Sequence, residues 1–171
     1  MKFVNKETAL ELIIDDKLIQ RIADYGADKY PNEFGGLLLG RYLNNHTTVS
    51  IEDTLLPKKY KSSRYFFERG SEGLRESLEL HYNALPSLIY IGEWHTHPDS
   101  PARPSALDLK SMKELADDKN VLITNPILMI FEMRKRAHDI GLYFLHKDRL
   151  LRYTSMEEQQ GWKEKIVYAT S

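Results

Sequence analysis

The segment Gly92-Glu93-Trp94-His95-Thr96-His97-Pro98, followed by Pro104-Ser105-Ala106-Leu107-Asp108, holds the residues best suited to chemistry. His95 and His97 lie two apart at the end of a predicted strand, where side chains at i and i+2 share a face. Two imidazoles so placed can both reach one metal ion at about 2.0–2.1 Å. Asp108 falls in the first turn of the next predicted helix, so one carboxylate oxygen can be a third ligand. Two His, one Asp and an open fourth position make the ligand set of a catalytic zinc rather than a structural one.

Each part also has a plainer reading. A lone His is usually a surface or core residue, and an H-x-H pair changes that only modestly. Ser105-x-x-Asp108 reads as a helix N-cap, with Asp108 favoured near the positive end of the helix dipole. The combination at a strand-to-helix junction is far more specific than its parts. A zinc site also needs a carboxylate to take a proton from water. Glu33, in Pro31-Asn32-Glu33-Phe34-Gly35-Gly36, is one candidate, although its position alone reads as a solvated helix-end carboxylate. Glu93 is the rival, because alternation puts it on the face of His95 and His97. Trp94 alternates away and is expected in the core.

The elements that must position these groups can be read from periodicity. A first strand is expected over 9–14 and a helix over 16–30, with Leu18, Ile19, Ile22, Ala23, Gly26, Ala27 and Tyr30 on one face. Strands follow over 37–43 and 47–55 as a hairpin about Asn44-Asn45, with a short strand over 64–68. A second helix is expected over 71–84, with Leu74, Leu78, His81 and Leu85 in phase. The strand carrying the histidines spans 87–95, and a third helix spans 105–116. A hairpin over 126–133 and 139–145 turns at Arg134-Lys135-Arg136, an exposed basic turn. Ser155 with Glu158 suggests a capping box for a short final helix, or else a tail without structure. Residues 1–154 form one alternating α/β domain and 155–171 the tail.

Bulk properties exclude several classes. The 171 residues suit one domain. Lys and Arg number 24 against 25 Asp and Glu, so the basic excess of a general nucleic-acid or membrane-surface binder is absent. There is no Cys, hence no disulfide, thiol nucleophile or thiolate metal site. The N-terminal residues lack the apolar core of a signal peptide, and no run of about 18 apolar residues is present. A cytoplasmic protein is expected.

Glu33, His95-x-His97-Pro98 and Ser105-x-x-Asp108, in this order, resemble the signature of the JAMM (JAB, MPN-plus) metalloprotease family. Ten residues separate His97 from Asp108, which is the family spacing, and no signature position departs. Gly36-Leu37-Leu38-Leu39-Gly40 also looks like the family's strand after the Glu. The resemblance covers about residues 9–146. It implies an α/β fold, a single JAMM/MPN (cytidine-deaminase-like) domain with a mixed sheet flanked by helices. It also implies that His95, His97 and Asp108 bind Zn2+, that Glu33 rather than Glu93 is the general base and proton donor, and that Ser105 hydrogen-bonds the oxyanion. Since Ser105 has one hydroxyl, capping and oxyanion binding are expected to compete.

Enzymes of this family hydrolyse the bond after the carboxyl-terminal tail of a ubiquitin-like protein. The resemblance therefore implies a protein substrate with an extended tail, and an E1/E2-like conjugating enzyme in the same pathway. No nucleic-acid or membrane partner is implied. Residues 57–67 read either as a wall of the tail-binding groove or as a solvated connector. The stretch Tyr90 to Pro98 is most similar to bacterial JAB peptidases of CBASS antiphage operons and related conjugation islands, which would make a conjugated cyclic-oligonucleotide synthase the substrate. The alternatives are a hydrolase acting on a sulfur-carrier protein or small peptide, and a non-catalytic MPN scaffold.

Overall fold

The computed structural model describes residues 1–121, 123 and 125–155. In chain order the elements are β1 (Lys2–Val4), β2 (Glu11–Ile14), α1 (Asp16–Ala27), β3 (Gly35–Leu43) and β4 (Thr48–Leu55). Then come β5 (Tyr60–Ser63), β6 (Phe66–Arg69), α2 (Leu74–Asn83), β7 (Ile89–Pro98) and α3 (Ala106–Asp117). The described chain closes with β8 (Ile127–Arg134), β9 (Arg136–His146), β10 (Arg149–Arg152) and β11 (Thr154–Ser155). A nine-stranded mixed sheet runs β10-β9-β8-β7-β3-β4-β2-β1-β11, and β5 pairs with β6 as a separate hairpin. The fold class is the expected one: α/β, a mixed sheet flanked by helices.

Alternation along the central strands sorts the core into two layers. Met129, Phe131 and Met133 of β8 face α1 and pack with its Leu18, Ile19, Ile22 and Ala23. Leu128 and Ile130 face the other way and pack with Met112 of α3 and Tyr143 of β9. The expected apolar face of α1 is the buried one. Asp15 caps that helix by accepting from the Lys17 amide at 2.7 Å.

β7 lies between β3, antiparallel to it, and β8, parallel to it. Trp94, Thr96 and Pro98 are buried, while Glu93, His95 and His97 are half-buried on the opposite face. Trp94 is a core residue, 1% exposed, as its alternation predicts. Its indole N–H donates to Thr54 Oγ1 at 2.7 Å, which satisfies the one polar group the ring buries.

Several boundaries differ from expectation. The strand expected over 9–14 is the second, after β1, and it begins at Glu11, because Ala9 turns with a φ of 57°. That turn is organised by Asn5 Oδ1, which accepts from the Glu7 and Thr8 amides at 3.1 and 3.0 Å. The first helix ends at Ala27, so Tyr30 lies in the connection to β3. The second helix is more exposed than its pattern predicts. Only Leu74 is buried along it, and Leu85 lies beyond its end, 98% exposed. The residue before Pro86 is pushed out of helical geometry, so Leu85 cannot continue the apolar stripe. The 126–145 hairpin turns at Lys135 as expected, and Arg134 pairs with Glu132 at 2.9 Å. β10 and β11 follow it, and β11 joins the far edge of the sheet beside β1. Ser155 stands in β11; the rest of the expected tail, 156–171, lies outside the described residues.

α1 approaches β7 closely at Gly26. A Cβ there would collide with the Thr96 methyl and the Met133 terminal methyl. Helix propensity alone favours Gly26→Ala by roughly 1 kcal/mol. Overpacking against a fixed strand costs about 1–3 kcal/mol, so the clash should win. Gly26→Ala is expected to lower the urea midpoint with m unchanged; a raised midpoint would show that the helix is free to shift.

Candidate active site

β7 delivers His95 and His97 to the face opposite α1, and the start of α3 delivers Asp108. The two Nε2 atoms are 3.0 Å apart. Asp108 Oδ1 lies 3.2 Å from His95 Nε2, and Oδ2 lies 3.8 Å from His97 Nε2. Two donors on one tetrahedral ion at about 2.05 Å stand about 3.3 Å apart. The observed separations straddle that value, and the three residues are the group of possible metal ligands found among the described residues.

The protonation pattern suits a cation. His97 Nδ1 lies 3.1 Å from the Pro101 carbonyl, an acceptor only, so Nδ1 carries the proton and Nε2 presents its lone pair. The loop that offers this carbonyl is itself fixed, because the buried Tyr143 hydroxyl donates to Ala102 O at 2.8 Å. Burial pushes His95 down to about 4; the Asp108 charge opposes this and His97 adds to it. His95 is therefore neutral at pH 7, as a ligand must be.

Ser105 and Asp108 form a reciprocal cap at the start of α3. The Ser105 backbone N–H donates to Asp108 Oδ2 at 2.6 Å, and Ser105 Oγ accepts from the Asp108 N–H at 3.2 Å. The Ser105 hydroxyl also donates to Oδ2 at 2.7 Å. The capping reading of this pair is correct in full.

Glu33 stands in the connection between α1 and β3, not at the helix end. It lines the same cleft of about 470 Å³ as His95, His97 and Asp108. Burial first, and then the Asp108 charge, push its carboxyl up to about 7. What holds it there is Thr96, a residue the sequence reading passed over. Thr96 Oγ1 accepts from the Phe34 N–H at 3.0 Å, and the Thr96 N–H donates to Phe34 O at 2.8 Å. The residue after Glu33 is thus clamped to the residue between the two histidines. A signal was present: the middle residue of an H-x-H pair faces the core, where a hydroxyl must find a partner.

Glu93 lines the cleft too, but its Oε1 accepts from Arg69 Nη2 at 2.7 Å and from the Tyr90 hydroxyl at 2.8 Å. That oxygen is committed to two donors on the wall of the cleft. Residues 57–67 supply β5 and lead into β6, and Tyr65, Phe66 and Phe67 form one wall of the cleft. Leu107, on the first turn of α3, lines it as well.

Comparison with known proteins agrees with this geometry. A CD-NTase/cGAS isopeptidase of Enterobacter hormaechei subsp. hoffmannii (strain UCI 50) is 30% identical over 129 residues, covering 75% of this chain and 71% of that protein. A CD-NTase/cGAS isopeptidase of Escherichia coli (strain TW11681) is 24% identical over 125 residues, covering 72% of this chain and 77% of that one. The solution structure of a Desulfitobacterium hafniense protein shares the fold, with a TM-score of 0.58 at 23% identity, over 82% of this chain and 88% of that one. The family model of prokaryotic homologues of the JAB domain matches residues 15–140, and the chain belongs to that family.

Proposed function

We propose that this protein is a zinc-dependent isopeptidase that releases a protein conjugated through its carboxyl-terminal tail. The observation that carries the reading is the convergence of His95, His97 and Asp108 in one cleft with a carboxyl, Glu33, raised toward neutrality. His95, His97 and Asp108 would hold the ion. When bound, zinc would supply a Lewis acid and make water acidic enough to give up a proton near pH 7.

The chain's own groups perform the rest. Glu33 takes a proton from the attacking water and gives it to the departing lysine amine. A carboxyl near neutral pKa suits both halves of that task. The Ser105 hydroxyl, now bonded to Asp108 Oδ2, turns to the carbonyl oxygen as charge develops there. Its oxygen can keep the Asp108 N–H bond meanwhile, so capping and oxyanion binding use different parts of one hydroxyl. Tyr65 and Phe66, exposed on the wall of the cleft, would contact the substrate there. Two relatives described as CD-NTase/cGAS isopeptidases favour a conjugated cyclic-oligonucleotide synthase as substrate. An E1/E2-like enzyme as the source of the conjugate, and antiphage defence in the cytoplasm as the setting, complete the proposal on the family resemblance alone.

The test uses purified protein, a lysine-linked conjugate of such a tail, and metal analysis. About one zinc per chain is expected, lost in His95→Ala/His97→Ala. Glu33→Gln should lower kcat about 10²–10⁴-fold with zinc retained. Loss of zinc in that variant would make Glu33 a ligand instead.

The pH profile separates base from ligands. Because Glu33 must be deprotonated to act, kcat/KM should fall as pH drops below about 7. The positive charge of a bound ion would move that limb lower, not higher. His95, held down to about 4, keeps its lone pair through this range, so loss of activity with zinc retained would place the limb on Glu33. Parallel loss of zinc and activity would place the limb on the ligands.

Thr96→Val keeps the shape of the side chain and removes the acceptor of the Phe34 N–H. An unsatisfied buried N–H costs about 1–3 kcal/mol. A kcat at least tenfold lower, with zinc content unchanged, is expected from a displaced Glu33; unchanged kcat would mean that the clamp does not position it.

A further inference from the structure

Three separate segments meet at the carboxylate of Asp99, just beyond the end of β7. Arg64, at the tip of the β5–β6 hairpin, donates through Nη2 to Asp99 Oδ2 at 2.6 Å. The hydroxyl of Tyr30, in the connection from α1 to Glu33, lies 3.2 Å from each oxygen of the same carboxylate. Asp99 itself is fixed to the sheet, since its N–H donates to Met133 O of β8 at 2.8 Å. Its φ of 53° is left-handed, a conformation that Asp and Asn adopt more readily than most residues.

The joint has a direct line to Glu33. The Glu33 N–H donates to the carbonyl of Ser63 at 2.8 Å, and Ser63 immediately precedes Arg64. A hairpin tip that swings away takes this acceptor with it. Tyr30 restrains the same connection from upstream. On its other side the hairpin rests on Phe34, whose ring meets Tyr60 and Phe67 edge-to-face at 5.0 and 5.7 Å between centroids.

Stability alone does not account for the arrangement. Arg64 and Asp99 are 47% and 36% exposed in their side chains. An exposed pair of this kind contributes about 0.2–1 kcal/mol. Its geometric effect is larger, because displacing a reacting group by an ångström can lower a rate about 10²-fold.

We propose that Asp99, held between Arg64 and Tyr30, is a positioning residue that pins the hairpin tip and so fixes Glu33 and the aromatic wall of Tyr65 and Phe66 over the His95–His97–Asp108 group. The role assigned to Glu33 rests on the isopeptidase reading; the pinning of the hairpin does not.

Both parts can be tested on the full-length protein. Asp99→Asn keeps the left-handed backbone and removes the charge; Arg64→Met keeps an unbranched apolar stem and removes the charge; Arg64→Lys keeps the charge. With the lysine-linked conjugate as substrate, Asp99→Asn and Arg64→Met should each lower kcat about tenfold, with KM, zinc content and Tm close to wild type. The double variant should fall no further than either single one, because both abolish the same ion pair. Arg64→Lys should recover most of the rate. In parallel, hydrogen exchange at the Glu33 and β5–β6 amides should quicken in Arg64→Met, while β7 and β8 stay protected.

Multiplied losses in the double variant, an unchanged kcat, or a kcat that falls only in step with Tm would overturn the positioning role. Unchanged exchange at Glu33 and the hairpin would overturn the joint itself. If the wild type cleaves no conjugate, the isopeptidase reading falls, and the exchange measurement still decides whether Asp99 pins the hairpin.

Discussion

Everything in the site depends on β7 having two different faces. Its neighbours β3 and β8 take up its backbone hydrogen bonds, so no side chain is needed to hold the strand in place. One face can then be given wholly to the core. Trp94 and Thr96 are nearly inaccessible there, against α1 and Phe131. The other face is left to the polar residues Glu93, His95 and His97. A slip of one residue would bury two imidazoles against α1 and turn a tryptophan into the cleft. The large apolar ring therefore also fixes which way the histidines point.

A polar cluster beside an apolar core has an electrostatic cost, and the molecule meets it in two ways. Some of the charges are paired. Glu93 is bonded by Arg69 and Tyr90, and burial together with that carboxylate pushes the Tyr90 phenol up, so the hydroxyl remains a donor. Where a group faces the centre of the cleft, it carries no full compensation. His95 is driven toward its neutral form and Glu33 toward its protonated form. Both shifts have burial as the leading cause, and both leave the cluster less charged than its residue types suggest. Neutral imidazole lone pairs and a carboxyl of raised pKa are the state in which a divalent ion is most readily accepted and a proton most readily moved.

The parts of this design legible in the sequence are those set by local periodicity. The i, i+2 spacing of His95 and His97, the S-x-x-D start of α3 and the apolar stripe of α1 all rest on neighbours a few residues away. The parts that were not legible join distant segments. Alternation placed Glu93 on the face of His95 and His97, and it could not show that Arg69, from a hairpin on the far side of α2, bonds that carboxylate. The role of Thr96 shows only once Phe34 is brought beside it. β1 and β11 are short, and each is stabilised by pairing with the opposite end of the described chain. α2 shows the converse failure. Its spacing is amphipathic, yet the fold offers it little to cover, so Leu80 and Tyr82 remain exposed. Amphipathic spacing states what a helix can bury, not what is available to bury it.

The S-x-x-D pair shows why two readings of one motif need not exclude each other. A capping box asks Asp108 for one acceptor, and ligation asks it for another. A carboxylate has two oxygens, and the structure divides them. Oδ2 takes the Ser105 N–H and hydroxyl, while Oδ1 faces His95. The cap fixes the rotation of the carboxylate, which in turn aims the free oxygen at the imidazole. A residue placed only to bind an ion would need some other device to hold its rotamer. Here the helix start supplies it, so the local signal read as structural would also orient the ligand in the proposed function.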